Sequence, residues 1–118
     1  MAYRILDHSS VRVHDVEQSR RFYEGILGLK PAPRPALGIP GMWYALGRGQ
    51  LHLIQSEATM PGRIDPTGPH FAIEVDDLGE VRRCLNEAGI EMLDLGAQLW
   101  ILDPDGNTVE LRAPAGAA

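Results

Sequence analysis

The sequence predicts an α+β fold of two tandem βαβββ modules, which form an open eight-stranded cup with helices on the outer face. Three observations predict it. Residues 8–28 align without a gap with residues 70–90, the alternation and helix-cap signals recur in both stretches, and strand-like runs follow each helix. The aligned stretches are identical at His8/His70, Val13/Val75, Asp15/Asp77, Arg20/Arg82 and Arg21/Arg83.

We expect a single domain over residues 1–118, because a chain of this length buries enough surface for one core. Module one covers about residues 5–55 and module two about residues 70–112. Residues 56–69 contain Pro-Gly, Asp-Pro and Gly-Pro pairs with almost no periodicity, which indicates a linker between the modules.

Composition narrows the classes of partner and compartment. With 16 acidic and 11 basic residues the net charge is −5, which argues against binding to nucleic acid or to an anionic membrane. The single Cys84 excludes an intrachain disulfide and a cysteine-type zinc motif, and its place in an amphipathic pattern favours packing. Without an apolar leader or long apolar run, we expect a cytoplasmic protein.

In module one, residues 7–13 alternate between apolar and polar side chains, which predicts a half-buried strand. Asp15 is the expected N-cap of a helix that ends at Gly28. The polar face of the strand carries His8, Ser10 and Arg12. The remaining predicted elements are a proline-rich edge strand from residue 31, and strands at 42–46 and 50–55 around a Gly47-Arg48-Gly49 hairpin.

Module two repeats this order. Residues 70–75 alternate, Asp77 is the expected N-cap of the second helix, and Gly89 is expected to close it. The run Asp103-Pro104-Asp105-Gly106-Asn107 is typical of a tight turn, and the β-prone residues that follow predict a strand. The predicted strands after the helix are residues 91–93, 98–102 and 108–111.

Four side chains on the polar faces predict a metal site. His8 and His70 are equivalent in the repeat, and so are His52 and Glu110, each in the last strand of its module. If both polar faces line the cup, three imidazoles and a carboxylate meet there. Such donors suit zinc, iron(II), manganese, cobalt or nickel, with positions left for substrate oxygens. His14, whose repeat mate is Asp76, is expected at the surface.

The chain resembles the vicinal oxygen chelate superfamily over Ile5 to Leu111, nearly its whole length. That superfamily includes glyoxalase I, fosfomycin-resistance thiol transferases, methylmalonyl-CoA epimerase, extradiol dioxygenases and bleomycin-resistance proteins. The resemblance lies in the His8 strand, Phe22-Tyr23, Leu27-Gly28-Leu29, Gly68-Pro69-His70, and the acidic turn followed by Glu110.

The resemblance implies paired βαβββ modules, a divalent ion in the cup and, often, a homodimer whose site draws on both chains. His8, His70 and Glu110 match the three metal ligands of the fosfomycin enzymes and dioxygenases. His52 stands where glyoxalase I has a glutamate that binds the metal and moves a proton, so His52 is expected to act as ligand or as base.

The first functional hypothesis is a metal-dependent, glyoxalase-like lyase or isomerase. Its ion chelates two neighbouring oxygens of a small substrate, and His52 or Glu110 transfers a proton. The second is an iron(II) extradiol-type dioxygenase, and the third is a metal-free antibiotic-binding protein of the bleomycin-resistance type. Expected substrate contacts are Ser10, Arg12, Trp43 and Trp100.

Overall fold

The computed structural model describes residues 1–57 and 63–114, so positions 58–62 of the predicted linker lie outside the described residues. The chain divides into two compact units, Met1–Thr59 and Met60–Ala118. The elements are β1 (His8–Val13), α1 (Val16–Arg20) with a π-helical continuation (Arg21–Ile26), β2 (Lys30–Pro31), β3 (Gly41–Leu46), β4 (Gly49–Gln55), β5 (His70–Glu74), α2 (Leu78–Glu87), β6 (Leu93–Asp94), β7 (Gln98–Leu102) and β8 (Thr108–Arg112).

Each unit holds one four-stranded mixed sheet with the same order. The first sheet runs β1-β4-β3-β2 and the second runs β5-β8-β7-β6. In both, the first strand pairs in parallel with the last strand, and the remaining pairs are antiparallel. The predicted α+β fold of two βαβββ modules is confirmed.

Both helices begin at the predicted aspartates. The Asp15 carboxylate accepts the Glu17 N–H at 3.0 Å, and the Asp77 carboxylate accepts the Glu80 N–H at 3.1 Å, which satisfies backbone donors that a first helical turn leaves free. Both helices are followed by a glycine with positive φ, 71° at Gly28 and 70° at Gly89. Glycine carries no Cβ and adopts this left-handed conformation without strain.

The core of each unit lies on the helix side of its sheet. Period-two alternation turns every second strand residue toward the helix. The buried apolar residues of the first unit are Val13, Phe22, Tyr23, Tyr44, Leu51 and Leu53. Those on the equivalent side of the second unit are Ile73, Leu78, Leu85, Leu99, Ile101, Val109 and Leu111. The residues between them, which include all four predicted ligands, therefore lie on the opposite face of each sheet.

Local details differ from the predictions at several points. The first helix turns π-helical after Arg20, and its last turn is closed by a bond from the Leu27 N–H to the Phe22 carbonyl at 3.0 Å. The proline-rich edge strand is limited to Lys30–Pro31, since proline donates no ladder hydrogen bond. Cys84 is exposed, so the expectation that it packs in the core is wrong. Within the described ranges, neither helix has the length and apolarity to cross a bilayer.

Candidate functional site

The second unit brings His70 and Glu110 together. His70 opens β5 and Glu110 lies on β8, on the face opposite the helix. The His70 Nε2 and Glu110 Oε1 atoms are 3.1 Å apart. Glu110 is only 4% exposed, so its carboxylate is shielded from water, and the His70 imidazole replaces part of the lost hydration.

The His70 ring is oriented by a backbone oxygen. Its Nδ1 lies 2.9 Å from the Gly68 carbonyl, which accepts the Nδ1–H and leaves Nε2 turned toward Glu110. Both ring nitrogens therefore face oxygen acceptors, an arrangement that either a doubly protonated ring or a cation between Nε2 and Oε1 satisfies. Metal bonds of about 2.0–2.2 Å at right angles place two donor atoms about 3 Å apart, so this pair fits one divalent ion.

Two buried polar atoms lie beside this pair. Glu110 Oε2 is 3.2 Å from Arg112 Nη1, but the contact is not directed as a hydrogen bond, and Oε2 has no hydrogen-bond partner within the described residues. Trp100 pairs directly with Glu110 in the β7–β8 register and is 5% exposed. Its indole Nε1 is likewise buried without a hydrogen-bond acceptor in the part of the chain that the structure describes. A buried donor and a buried acceptor are thus left for a bound group.

The first unit stacks three rings on the matching face. The centroids of the His8 and His52 rings are 4.1 Å apart with an interplanar angle of 15°. The Trp43 and His52 rings are also 4.1 Å apart, at 5°. His8 Nδ1 donates to the Asp7 carboxylate at 2.8 Å, which leaves Nε2 as the ring nitrogen that is not bound to Asp7.

His52 is held in a different way. Its Nε2 lies 2.8 Å from Gln50 Oε1, so the Nε2–H is donated to the amide and Nδ1 carries the lone pair. Burial lowers the pKa of His52 below its ordinary value of 6.5, and the positive charges of His8 and Arg34 act in the same direction, while Asp7 opposes them. His52 is therefore a neutral ring near pH 7.

The other predicted contact residues share this face of the first sheet. Ser10 pairs with His52 across β1 and β4, Arg12 follows two residues later, and both are exposed. Trp43 pairs with His52 across β3 and β4, whereas its neighbour Tyr44 is fully buried on the helix side. Trp43 therefore lies among the candidate site residues.

Each unit brings two of the four predicted metal ligands together, as the pairs His8–His52 and His70–Glu110. Over residues 1–57 and 63–114, no group of three or more His, Cys, Asp or Glu side chains is arranged to hold a metal ion. The four-ligand set stays a prediction.

Several supporting groups were not predicted from the sequence. They are the Asp7 carboxylate on His8, the Gly68 carbonyl on His70, the Gln50 amide on His52 and the Arg112 guanidinium near Glu110. Gln50 and Arg112 each lie two residues from a candidate residue on the same strand, so period-two spacing was the available signal. Asp7 and Gly68 lie just before the strands, where spacing alone does not assign a partner.

Comparison with known proteins decides the family. A family model described as the Glyoxalase/Bleomycin resistance protein/Dioxygenase superfamily matches residues 5–111. The chain belongs to this superfamily. The resemblance to vicinal oxygen chelate proteins is thus confirmed, and proteins of this superfamily bind small-molecule substrates.

A sequence relative agrees with the family match, and a solved structure shares the fold. The chain is 32% identical to Glyoxylase I 4 of Arabidopsis thaliana over 120 residues, which covers 90% of this chain and 68% of that protein. A glyoxalase family protein from Bacillus anthracis superposes with a TM-score of 0.83 at 24% identity, covering 96% of this chain and 97% of that chain.

A second solved structure is the E126Q mutant of the fosfomycin resistance protein FosX from Listeria monocytogenes. It was solved in complex with Mn(II) and 1S,2S-dihydroxypropylphosphonic acid. Its TM-score to this chain is 0.76 at 15% identity, with coverage of 98% of this chain and 95% of that chain. At this identity the likeness shows a shared fold.

Proposed function

We propose that this protein is a divalent-metal-dependent, glyoxalase-like enzyme of the lyase or isomerase type, which acts on a small substrate with two neighbouring oxygens. The observation that carries the proposal is the His70–Glu110 pair. An imidazole nitrogen oriented by a backbone carbonyl faces a buried carboxylate oxygen at 3.1 Å, which suits two adjacent ligands of one ion. The second carboxylate oxygen is buried without a hydrogen bond within the described residues, 3.2 Å from Arg112 Nη1, and such an acceptor supports a site for a bound group.

The ion's proposed ligands are His8, His70 and Glu110. His8 and His70 occupy equivalent places in the two sheets, and in each ring an oxygen binds Nδ1, so that Nε2 is the nitrogen proposed to bind the ion, 3.1 Å from Glu110 Oε1 in His70. Zinc, iron(II), manganese, nickel and cobalt accept such a set, and the Mn(II) complex of a protein of this fold supports the class of ion. When bound, the ion supplies Lewis-acid polarisation of the substrate oxygens.

We assign His52 the role of general base rather than ligand. Its Nε2–H is held by Gln50, its lowered pKa keeps the ring neutral near pH 7, and Nδ1 is free to accept a proton. Because a base must be unprotonated, activity should fall as the pH drops through a pKa below 6.5. A His52→Gln variant should lose this acid limb together with most of its turnover.

The remaining contacts bind and orient the substrate. Trp100 Nε1–H, buried without an acceptor, donates to a substrate oxygen, while Trp43 holds the His52 ring in plane by stacking. Ser10 and Arg12 offer a hydroxyl and a cation from the face that carries His52. Glu110 remains the second candidate for proton transfer, since its Oε2 is free of hydrogen bonds within the described residues.

Metal analysis with matched variants tests the proposal. Purified protein should carry close to one equivalent of a divalent ion, and His70→Ala or Glu110→Ala should lose it. His14→Ala removes an imidazole just after β1 and should keep the metal. Unchanged metal content in His70→Ala would overturn the ligand assignment, whereas retention in His52→Ala is expected of a base.

An iron(II) extradiol-type dioxygenase is the second candidate. The observation that favours it is the engagement of His52 Nε2 by Gln50, which leaves two imidazoles and one carboxylate, the set typical of oxygen-activating iron(II) sites. Anaerobic loading with Fe(II), followed by addition of a catechol and oxygen, would give rapid oxygen uptake for this candidate. A glyoxalase-like enzyme would consume no oxygen.

We also propose that the protein is a homodimer, as the family resemblance implies, and that it is cytoplasmic. Analytical ultracentrifugation should give twice the 12.9 kDa chain mass. A monomer that retains the ion would place all ligands within one chain.

A further inference from the structure

A cavity of about 590 Å³ lies within the second unit. Its apolar lining is Ile64, Ile90, Met92, Leu93 and Leu102. Its volume falls within the roughly 300–1,000 Å³ range of small-molecule sites. Arg63 and Glu91 complete the lining with one cation and one anion, so the cavity does not select a strongly charged ligand.

The strand register connects this cavity with the His70–Glu110 pair along one row of side chains. Leu93 on β6 pairs directly with Trp100 on β7, and Trp100 pairs with Glu110 on β8. Directly paired residues share a face of the sheet, and neighbouring strands are about 4.8 Å apart. Leu93 therefore stands two strand spacings, about 10 Å, from Glu110, with the indole of Trp100 between them.

A second row runs parallel to the first. Leu102, at the end of β7, pairs with Thr108 on β8, and Thr108 pairs with His70 on β5. Each residue of the His70–Glu110 pair is thus separated from a leucine of the cavity wall by one residue of the row: Thr108 in one row and Trp100 in the other. Leu93 is 40% exposed, which leaves an apolar side chain in water at the edge of the cavity.

We infer that this cavity is an apolar subsite for the substituent of the substrate, so that the substrate is a vicinal-oxygen compound with an alkyl or aryl group rather than a two- or three-carbon compound. The position of the two substrate oxygens in this inference rests on the proposed function. The presence of an apolar substituent rests on the cavity alone. Apolar walls favour such a group because its burial removes hydrocarbon surface from water.

The first experiment uses metal-free protein and 1-octanol, and so does not depend on the proposed function. The chain has two tryptophans, whose indole N–H resonances are assigned with Trp43→Phe and Trp100→Phe. We expect a saturable shift of the Trp100 resonance alone. Leu93→Asp should abolish it, and Leu95→Asp should keep it, since Leu95 is 65% exposed and does not line the cavity. Absence of a saturable Trp100 shift overturns the inference.

The second experiment compares acetohydroxamate with octanohydroxamate on Mn(II)-loaded protein, because both chelate an ion through two adjacent oxygens and differ only in the alkyl chain. We expect octanohydroxamate to bind roughly 10- to 100-fold more tightly. Leu93→Asp should bring the two affinities near parity without weakening acetohydroxamate. Equal affinities in the unaltered protein overturn the inference and leave the proposed function standing. A shift with octanol but no binding of either hydroxamate overturns the proposed function and leaves the apolar subsite standing.

Discussion

The two units place different chemistry at equivalent positions of the same sheet. In the second unit the last strand contributes the carboxylate of Glu110, which faces an imidazole nitrogen at 3.1 Å. In the first unit the last strand contributes the ring of His52, which stacks between His8 and Trp43. The tryptophans match as well, since Trp43 pairs with His52 and Trp100 pairs with Glu110.

This difference shows how a duplicated module divides its tasks. The imidazole of His70 and the buried carboxylate of Glu110 are groups that a divalent cation binds, with Arg112 Nη1 3.2 Å from Glu110 Oε2, whereas two stacked imidazoles repel a cation when protonated. We therefore propose that the second unit holds the ion and that the first unit contributes one ligand and a neutral base. Four substitutions, each with a matched control variant, test the candidate site and the stability of the two units, in order of expected effect.

The largest effect is expected from removing the charge of Glu110. Glu110→Gln preserves shape but loses the anionic ligand, so affinity for Mn(II) should fall by on the order of 100-fold or more, as measured by calorimetry. Glu87→Gln makes the same chemical change on the exposed side of α2 and should leave affinity unchanged. Equal affinities of the two variants would remove Glu110 from the ligand set.

The turns that precede the last strands should differ in their contribution to stability. The buried Asp103 carboxylate accepts the N–H groups of Asp105 and Asn107 at 2.9 and 2.8 Å and the Asn107 amide at 2.8 Å. Asp103→Ala removes the carboxylate that accepts these hydrogen bonds and should lower the free energy of unfolding by about 2–3 kcal/mol in urea titrations. Arg48→Ala, in the two-residue turn of the first unit, should cost about 0.5 kcal/mol or less. Similar losses would contradict this difference.

Substitutions of the two tryptophans should differ by a smaller factor in their effect on ligand affinity. Trp100→Phe removes the buried indole N–H and should weaken acetohydroxamate binding to Mn(II)-loaded protein by about 3- to 10-fold, the value of one hydrogen bond. Trp43→Phe keeps a ring against His52 and should change this affinity by less than about twofold. A larger loss in Trp43→Phe would move the substrate donor to the first unit.

The smallest expected effect is on the free energy of unfolding, from the carboxylates that bind the helix arginines at equivalent repeat positions. Arg20 binds Glu24 of its own helix at 2.7 Å and Tyr44 donates to the same carboxylate at 2.8 Å, whereas Arg82 of α2 binds Asp94 of β6 at 2.5 Å. The Arg20 hydrogen bond holds the pKa of Glu24 below its ordinary 4.5, against the opposing effect of burial.

A carboxylate with a lowered pKa in the folded state contributes stability above its unfolded pKa, and that contribution disappears as the pH falls through the folded value. Glu24→Gln should therefore cost about 1 kcal/mol at pH 7, and the cost should shrink at acid pH below the folded pKa of Glu24. Asp94→Asn serves as the matched variant in the second unit, because its pKa is lowered by Arg82 in the same way. A pH-independent cost would assign the effect of Glu24→Gln to packing.

The sequence by itself determined the order of helices and strands and the face of each sheet on which a side chain lies. Alternation along 98–102 and the Asp-Pro-Asp-Gly-Asn turn predicted β7 and the start of β8 at their observed positions. The alignment of His8 with His70 predicted two sheets of equal order, because a side-chain period of two and a helix-capping aspartate are local properties of the chain. The π-helical turn and the shortened β2 were not predicted, since local patterns fix the type of an element better than its ends.

The tertiary structure decided which partners each candidate side chain has. Nδ1 of His8 donates to Asp7, Nδ1 of His70 donates to the Gly68 carbonyl, and Nε2 of His52 donates to Gln50. Glu110 Oε2 and Trp100 Nε1 have no hydrogen bonds inside the described residues. Spacing along a strand selects a face but not an atom. Which nitrogen of a ring is free depends on groups that only folding brings within about 3 Å, and that choice separates a ligand from a base.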